Sequence, residues 1–286
     1  MLQNRATLKQ IRFRLLSELR QIYTENESDS IARLILEHAG FPLFETLNDP
    51  ELVPSPSAMA QMNEILAEIP TGKPIQYILG YTWFCDLKIR VDKNVLIPRP
   101  ETEMMVELIK EMAPKPPRRI IDLGTGSGCI ALALKHYFPD AEVSGADISK
   151  RALSVAGENG RLNSLQVKWT EMDLLKEHSV KHPTPYNLVV SNPPYVLKSE
   201  RKSMARNVKA FEPASALFVE DHDPLVYYSA IASFCNQNLD KKGEVWAEIN
   251  ERMGRETESI FRKWGFKSVH IHRDIHEKER YVNARR

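Results

Sequence analysis

The sequence contains little cysteine and no long apolar run. Only three of its 286 residues are cysteines, and Cys85, Cys129 and Cys235 are far apart, without the paired spacing of zinc ligands. Such a set is not a disulfide framework, and it favours packing roles in a reducing compartment. No apolar stretch approaches the roughly 20 residues that a membrane-spanning helix requires. We therefore expect a cytoplasmic protein with no metal site and no membrane partner.

The sequence also lacks an excess of charge of either sign. Lysine and arginine number 39, aspartate and glutamate 38, and the formal net charge is +1. This balance gives no electrostatic argument for a dedicated nucleic-acid binder. There is no internal repeat or low-complexity tract, and the length suits one large domain or two ordinary ones, of which we favour two.

The first part of the chain has helical periodicity. Apolar residues step by three and four between residues 8 and 22, which is one face of an amphipathic helix. We expect Asp29 or Ser30 to cap a second helix and Ser57 to begin a third. These patterns predict a small all-helical domain over residues 1–82.

The periodicity then changes to two. Leu87, Ile89 and Val91 alternate with charged residues, and Asp92-Lys93-Asn94 offers turn chemistry. We therefore predict a β-hairpin connector over residues 83–97.

Residues 98–286 alternate between short apolar runs and helical segments. The predicted strands are 120–123, 141–146, 165–169, 188–191, 244–249, 266–271 and 281–284. Helices between the early strands imply parallel pairing, whereas the last two are connected too tightly for a helical crossover. The fold class is thus α/β and Rossmann-like, with a mostly parallel seven-stranded sheet that ends in an antiparallel pair.

The apolar run of residues 189–191 ends in a proline turn, Asn192-Pro193-Pro194-Tyr195, which is suited to hold a planar NH2 group. Two consecutive prolines fix φ near about −65° and supply no N–H, so the turn is stiff and its carbonyls lack their usual partners. Asn192 adds a side-chain oxygen that accepts from an amino group, and Tyr195 offers a flat, partly polar face. An ordinary proline turn after a strand is the alternative interpretation.

A glycine loop follows the first strand of this half, at the position where open α/β sheets bind ligands. It reads Asp122-Leu123-Gly124-Thr125-Gly126-Ser127-Gly128. The glycines do not form Gly-x-Gly-x-x-Gly, and no Lys-Ser/Thr pair follows, so we expect a ligand without a pyrophosphate.

Two acidic residues at later strand ends suit an adenosine. Asp147 lies about 20 residues beyond the loop, the spacing at which a carboxylate accepts from ribose hydroxyls. Asp173 can accept from an exocyclic amine, with Leu174 beside it as an apolar wall. The glycine loop alone could be a tight structural turn, but with Asp147, Asp173 and Asn192 four strand ends converge on one crevice.

These motifs carry a family resemblance. The chain resembles the class I, S-adenosylmethionine-dependent methyltransferases, and more closely the release-factor glutamine methyltransferases (the PrmC/HemK family), almost end to end. Further matching segments are residues 72–80, 96–103, 211–213 and 216–217. Within them Pro98-Arg99-Pro100-Glu101-Thr102-Glu103 is far more specific than the proline turn, which many amino methyltransferases share.

The resemblance implies a substrate that composition and spacing do not show. The methyl donor would be S-adenosylmethionine, with S-adenosylhomocysteine as product. The acceptor would be the glutamine amide nitrogen (N5) in the Gly-Gly-Gln motif of class I peptide chain release factors, a modification that belongs to translation termination.

The resemblance and the residue chemistry together give one mechanism. Cofactor contacts are expected from Gly124, Thr125, Gly126, Ser127, Gly128, Asp147, Asp173, Leu174 and Asn192. Asn192 cannot be a base, so its oxygen and a carbonyl of the turn, at Pro193 or Pro194, would orient the amide, with Tyr195 packed on the amide plane. Arg99 and Glu101 are expected to shape the entrance.

The chain departs from the family pattern in three places. Residues 218–224 replace a stretch that commonly contains glycine, Leu174 stands where some members carry an aromatic residue, and Gly254 stands where members often have glutamine. We therefore expect aliphatic packing on the adenine and a differently shaped loop at residues 218–224.

Two other functions are alternatives for this sequence. An adenine-N6 DNA methyltransferase would use the same grip on an NH2 group, but it needs a flipped base, and the near-neutral charge and the helical first domain argue against it. A non-catalytic protein-binding adaptor is disfavoured because every expected ligand residue is present. We expect no sequence-specific nucleic-acid binding, and we expect the helical domain to recognise the protein substrate.

Overall fold

The structure is a computed structural model that describes residues 6–113, 115–177 and 180–286. Its internal contacts divide the chain into two units, one ending at Gly80 and one spanning Tyr81–Arg286. Within the described residues, no helix is long and apolar enough to cross a membrane. The three cysteines are free and buried.

The first unit is all-helical, as the sequence predicts. Its helices are α1 (Leu8–Leu19), α2 (Glu25–His38), α3 (Leu43–Asn48), α4 (Pro56–Glu68) and α5 (Ile75–Leu79), with a 3-10 turn at Ile69–Thr71. The apolar face of α1 is fully buried at Ile11 and Leu15, and Met59 and Met62 of α4 are buried as well. The periodic positions therefore form the core of this unit.

Two helix starts differ from the sequence prediction. Helix α2 begins at Glu25, because the Thr24 hydroxyl accepts from the Glu27 N–H while the Glu27 carboxylate accepts from the Thr24 N–H. This capping box satisfies two N–H groups at once, so the predicted cap at Asp29 or Ser30 is wrong. Helix α4 begins at Pro56 with Ser55 as its cap, because proline is favoured at the first helical position.

A hairpin opens the second unit, but its turn is not where the sequence predicts it. Strands β1 (Tyr81–Phe84) and β2 (Leu87–Arg90) pair antiparallel, and Cys85 and Asp86 between them have φ of 47° and 61°. Two residues of positive φ make the tight turn that suits strand twist. The prediction of the hairpin turn at residues 92–94 is wrong, because without glycine the true turn gives little local signal.

The remainder of the second unit is a layered α/β fold. Its strands are β3 (Arg119–Leu123), β4 (Glu142–Asp147), β5 (Lys168–Glu171), β6 (Tyr186–Ser191), β7 (Val196–Leu197), β8 (Phe218–Val219), β9 (Leu239–Glu248), β10 (Ser268–Arg273) and β11 (Glu279–Arg285). Its helices are α6 (Pro100–Met112), α7 (Cys129–Tyr137), α8 (Lys150–Leu162), α9 (Leu174–Glu177), α10 (Arg206–Phe211), α11 (Val226–Asn238) and α12 (Gly254–Lys263).

The sheet has the predicted topology. Seven strands lie in the order β10-β11-β9-β6-β3-β4-β5. The five from β9 to β5 are parallel, and β11 is antiparallel to both of its neighbours. The Rossmann-like, mostly parallel sheet with a terminal antiparallel pair is therefore confirmed. Strands β7 and β8 form a separate parallel pair that the sequence did not reveal.

The strand register brings distant motifs to one edge of the sheet. Leu123 pairs with Ala146 of β4 and with Ser191 of β6, and Ser191 pairs with Ala247 of β9. Because parallel strands end together, the residues that close or follow them meet at the same edge. These residues are Gly124, Asp147, Asn192 and Glu248.

Candidate active site

A cavity of about 350 Å³ lies at this carboxyl edge. It brings together most of the residues that the sequence predicts for cofactor and substrate. Those that line it are Arg99, Gly124, Thr125, Gly126, Ser127, Asp147, Asp173, Leu174, Asn192, Pro193 and Pro194. The predicted residues Gly128, Tyr195 and Glu101 are not part of its lining.

The glycine loop is folded tightly over the end of β4. The N–H groups of Gly124 and Thr125 both donate to the Ala146 carbonyl, at 2.8 and 2.9 Å. Gly124 and Gly126 have φ of 74° and 53°, a region in which a side chain is strained. The buried Thr125 hydroxyl donates to the Asp122 carboxylate at 2.6 Å, which fastens the loop to the strand beneath it.

Gly128, the last residue of the glycine loop, packs closely against Trp169 and Ala156. A Cβ at this position would come within 2.8 Å of the Trp169 ring and 3.0 Å of the Ala156 Cβ, so only glycine fits without a shift. Gly128 thus has a packing role at the start of α7 and does not line the cavity, and its contact with the cofactor stays a prediction.

Asp147 is oriented by two backbone groups. Its Oδ2 accepts from the Gly126 N–H and its Oδ1 from the Ser149 N–H, both at 2.8 Å. Burial raises the pKa of Asp147, and these N–H groups oppose that rise. Since each carboxylate oxygen has two lone pairs, both oxygens keep acceptor capacity for hydroxyl groups of a ligand in the cavity.

The end of β5 supplies a second acidic residue. Asp173 Oδ1 accepts from the Leu175 N–H at 3.1 Å, and Oδ2 pairs with Lys176 at 2.9 Å. The hydrogen bond from Lys176 lowers the pKa of Asp173. Asp173 is therefore a carboxylate at neutral pH, and both of its oxygens can accept hydrogen bonds.

Sequence reasoning missed several apolar residues of the lining, among them Ile148 and Tyr227. Ile148 directly follows Asp147 and is 61% exposed in the structure. In the sequence, its place beside the acid predicted to bind the ribose was a usable signal. Tyr227 comes from α11, and burial together with the charges of Asp173 and Asp147 raises its pKa. No local pattern links that helix to the cavity.

The proline turn is held by a buried hydrogen-bond network. Asn192 Nδ2 donates to Thr102 Oγ1 at 2.9 Å, and Thr102 Oγ1 donates to Glu248 Oε2 at 2.7 Å. The Tyr195 hydroxyl donates to Glu248 Oε1, also at 2.7 Å. Thr102 and Glu248 are 2% and 1% exposed. Neither was singled out as a site residue from the sequence.

Tyr195 does not line the cavity. Its ring packs against the hydrophobic core of the second unit, and burial with the nearby Glu248 carboxylate holds its pKa well above the ordinary value. The phenol therefore stays neutral and donates to Glu248. The packing of the ring on the acceptor amide stays a prediction, and the structure adds that the hydroxyl has its partner in the interior.

At the entrance, Arg99 is anchored by a buried acid. Its guanidinium donates to Glu212 Oε1 at 2.5 Å, and the Ile97 N–H donates to Glu212 Oε2 at 3.2 Å. Glu101 does not line the cavity, and its backbone carbonyl accepts from the Tyr281 hydroxyl at 2.8 Å. Of the two predicted entrance residues, only Arg99 lines the cavity.

The chain is similar to proteins of one family over nearly its whole length. The family model for the methyltransferase small domain matches residues 101–221. The release factor glutamine methyltransferase of Flavobacterium psychrophilum is 37% identical over 97% of this chain and 98% of that protein. That of Bacteroides thetaiotaomicron is 36% identical over 94% and 96%. The chain belongs to the release factor glutamine methyltransferase family.

The family assignment agrees with the fold. The 16S rRNA N2 G1207 methyltransferase (RsmC) of Thermus thermophilus, solved with AdoMet and guanosine, superposes with a TM-score of 0.52. It is 15% identical, and the match covers 72% of this chain and 49% of that one. This likeness shows the methyltransferase fold. As a member of the release factor glutamine methyltransferase family, the protein is an S-adenosylmethionine-dependent enzyme.

Proposed function

We propose that this protein transfers a methyl group from S-adenosylmethionine to the side-chain amide nitrogen (N5) of the glutamine in the Gly-Gly-Gln motif of class I peptide chain release factors. The observation that carries the proposal is the Asn192 amide, whose Nδ2 is engaged by Thr102 and whose Oδ1 is left for an acceptor beside the cavity. The names of the two relatives supply the substrate class.

The cavity lining fits S-adenosylmethionine. The glycine loop lets a ligand approach the backbone, and Asp147 keeps lone pairs for ribose hydroxyls. Ile148, Leu174 and Tyr227 offer an apolar wall for the adenine, and Asp173 is an acceptor for its amino group. When bound, the cofactor supplies a methyl group on a sulfonium, a strong electrophile. The product S-adenosylhomocysteine would be bound by the same residues until it is released.

The acceptor amide is a poor nucleophile, because its lone pair is delocalised. Asn192 Oδ1 and the Pro193 carbonyl would each accept one hydrogen of the NH2 group and so fix the direction of the nitrogen. Such positioning contributes roughly 7–11 kcal/mol in favourable systems. Asn192 cannot take a proton, so the proton displaced from the nitrogen leaves to water or a carbonyl.

We also propose that different parts of the chain have different roles. Residues 1–82 recognise the protein substrate, residues 83–97 connect the two parts, and residues 98–286 form the methyltransferase. Large apolar side chains on the helical unit support a contact surface, since Phe13 and Phe44 are 77% and 78% exposed and Leu47 is 63% exposed. Exposed apolar groups of this size mark interaction surfaces when they cluster.

The alternatives make different predictions. A DNA adenine methyltransferase would have to bind and flip a base, and the net charge of +1 offers no general attraction to DNA. A non-catalytic adaptor would not need the Asn192 network.

Incubation with radiolabelled S-adenosylmethionine and either purified release factor or duplex DNA tests the proposal. Label in the release factor, and none in a variant whose Gly-Gly-Gln glutamine is replaced, is the expected result. Label in the DNA, or in neither acceptor, would overturn it.

A further inference from the structure

The hydrogen bonds behind the proline turn have a defined direction. Glu248, as a carboxylate, can only accept. The hydroxyl of Thr102 has a single hydrogen, which it donates to Glu248 Oε2 at 2.7 Å. Thr102 Oγ1 can then only accept from Asn192, at 2.9 Å. The buried Glu248 carboxylate therefore determines, through Thr102, that the NH2 end of the Asn192 amide faces inward.

The opposite direction is disfavoured by the surroundings of Glu248. The Tyr195 hydroxyl donates to the other carboxylate oxygen, and the positive charge of Arg280 favours the ionised form. Burial works against ionisation by raising the pKa of Glu248. Two hydroxyl donors and a nearby cation make the acceptor-only form the one that completes the network.

The outward end of the Asn192 amide is its oxygen. Among the described residues, no donor is recorded for Asn192 Oδ1, which belongs to a residue of the cavity lining. Had the amide been reversed, an NH2 group would face the acceptor. An outward NH2 group would repel the NH2 group of a glutamine acceptor and attract a carboxylate.

We propose that Thr102, held by Glu248, is a positioning residue that fixes the Asn192 amide with its oxygen toward the acceptor, and so makes the site select glutamine over glutamate. This inference rests on the proposed function, because it takes the glutamine side chain as the acceptor. Thr102 and Glu248 act through Asn192 and need not touch the substrate.

Three variants test the network. Thr102→Val keeps the shape of the side chain but removes the hydroxyl, so the Asn192 amide loses its partner and can turn. Thr102→Ser keeps the hydroxyl and should restore the wild-type behaviour. The glutamine in Glu248→Gln has both a donor and an acceptor end. The hydrogen bonds from Asn192 through Thr102 to residue 248 can then run in either direction.

Thr257→Val is the matched control. Thr257 of α12 is also fully buried, but its hydroxyl has no hydrogen-bond partner within the described residues. The same loss of a hydroxyl there should leave acceptor selection unchanged. Thermal unfolding of each variant confirms that the protein compared is folded, and Glu248→Gln carries the test if Thr102→Val does not fold.

The readout is binding, which requires no turnover. Full-length protein saturated with S-adenosylhomocysteine is titrated calorimetrically with release factor carrying Gly-Gly-Gln or Gly-Gly-Glu. A pH of about 8 is used because a higher pH favours the ionised form of Glu248. We expect the wild type, Thr102→Ser and Thr257→Val to prefer glutamine by at least about tenfold. The preference should shrink at least about fivefold in Thr102→Val and in Glu248→Gln.

A wild-type preference in folded Thr102→Val or Glu248→Gln, or no preference in the wild type, would overturn the inference. A merely structural role would weaken both ligands equally and leave their ratio intact. The proposed function is judged separately, since it fails only if the wild type does not methylate the glutamine of the release factor.

Discussion

Asn192 Nδ2 and Thr102 Oγ1 lie 2.9 Å apart although the two residues are separated by 90 positions in the chain. One belongs to the turn after β6 and the other to the first turn of α6. The contact joins the proline turn to the Pro-Arg-Pro-Glu-Thr-Glu segment, and it connects the two motifs that carry the family resemblance. The proposed chemistry depends on this connection.

Replacing Asn192 by alanine should separate catalysis from cofactor binding. Asn192→Ala removes an oxygen that orients the acceptor, so we expect methyl transfer to fall at least about 100-fold. Affinity for S-adenosylmethionine, measured by calorimetry, should change little, because Asp147 and the glycine loop remain. Equal turnover in both proteins would remove Asn192 from the proposed mechanism.

Replacing Asp147 should have the reverse effect. Asp147→Ala is expected to weaken S-adenosylmethionine binding by about 1.5–3 kcal/mol, the contribution of hydrogen bonds to a charged acceptor. Asp140→Ala, which removes an exposed carboxylate away from the cavity lining, is the control. Unchanged affinity in Asp147→Ala would exclude this residue from the cofactor site.

Asp122 predicts a pH dependence of stability. Burial raises its pKa from 3.8 to about 7, so the folded protein binds this proton more tightly than the unfolded chain. Protonated Asp122 makes its full contribution to the free energy of unfolding below the pKa of Asp122 in the unfolded chain. This contribution is lost as the pH rises through about 7, its pKa in the folded protein. The loss is at most a few kcal/mol, since one pKa unit corresponds to about 1.4 kcal/mol.

The neutral variant Asp122→Asn isolates this effect. Between pH 5 and about pH 8 its free energy of unfolding, from denaturant titrations, should fall less than that of the wild type. Parallel curves for the two proteins would show that Asp122 does not titrate in this range.

The fold and the cofactor motif could be predicted because their signals are local. The glycine loop, Asp147 and the proline turn each lie within a few residues of a strand end, so short patterns in the sequence were sufficient. The hairpin turn was missed for a related reason, since Cys85 and Asp86 have positive φ without a glycine to indicate it.

The interior of the site could not be predicted, because its partners meet only in the folded chain. Glu248 is 146 positions from Thr102 and 53 from Tyr195. In the sequence, Glu248 is simply an acidic residue at the end of an apolar strand, and nothing nearby indicates its partners. The bond between the Tyr195 hydroxyl and this buried acid was therefore not predictable from the sequence.

Truncation tests the role of the helical unit. A protein that begins near Tyr81 should keep its affinity for S-adenosylmethionine but methylate intact release factor much more slowly, because a large acceptor loses binding energy remote from the reacting amide. The loss should be smaller on a short Gly-Gly-Gln peptide. The comparison requires a truncated protein that circular dichroism shows to be folded, and equal losses on both substrates would contradict a recognition role.

In the proposed reaction the methylated atom is the side-chain amide nitrogen of a glutamine in a release factor. The most direct measurement is mass-spectrometric mapping of a purified class I release factor after incubation with the enzyme and S-adenosylmethionine. We expect one methyl group on the glutamine side chain of the Gly-Gly-Gln motif, and none with Asn192→Ala at the same enzyme concentration. An unmodified release factor, or a methyl group on any other residue, would contradict it.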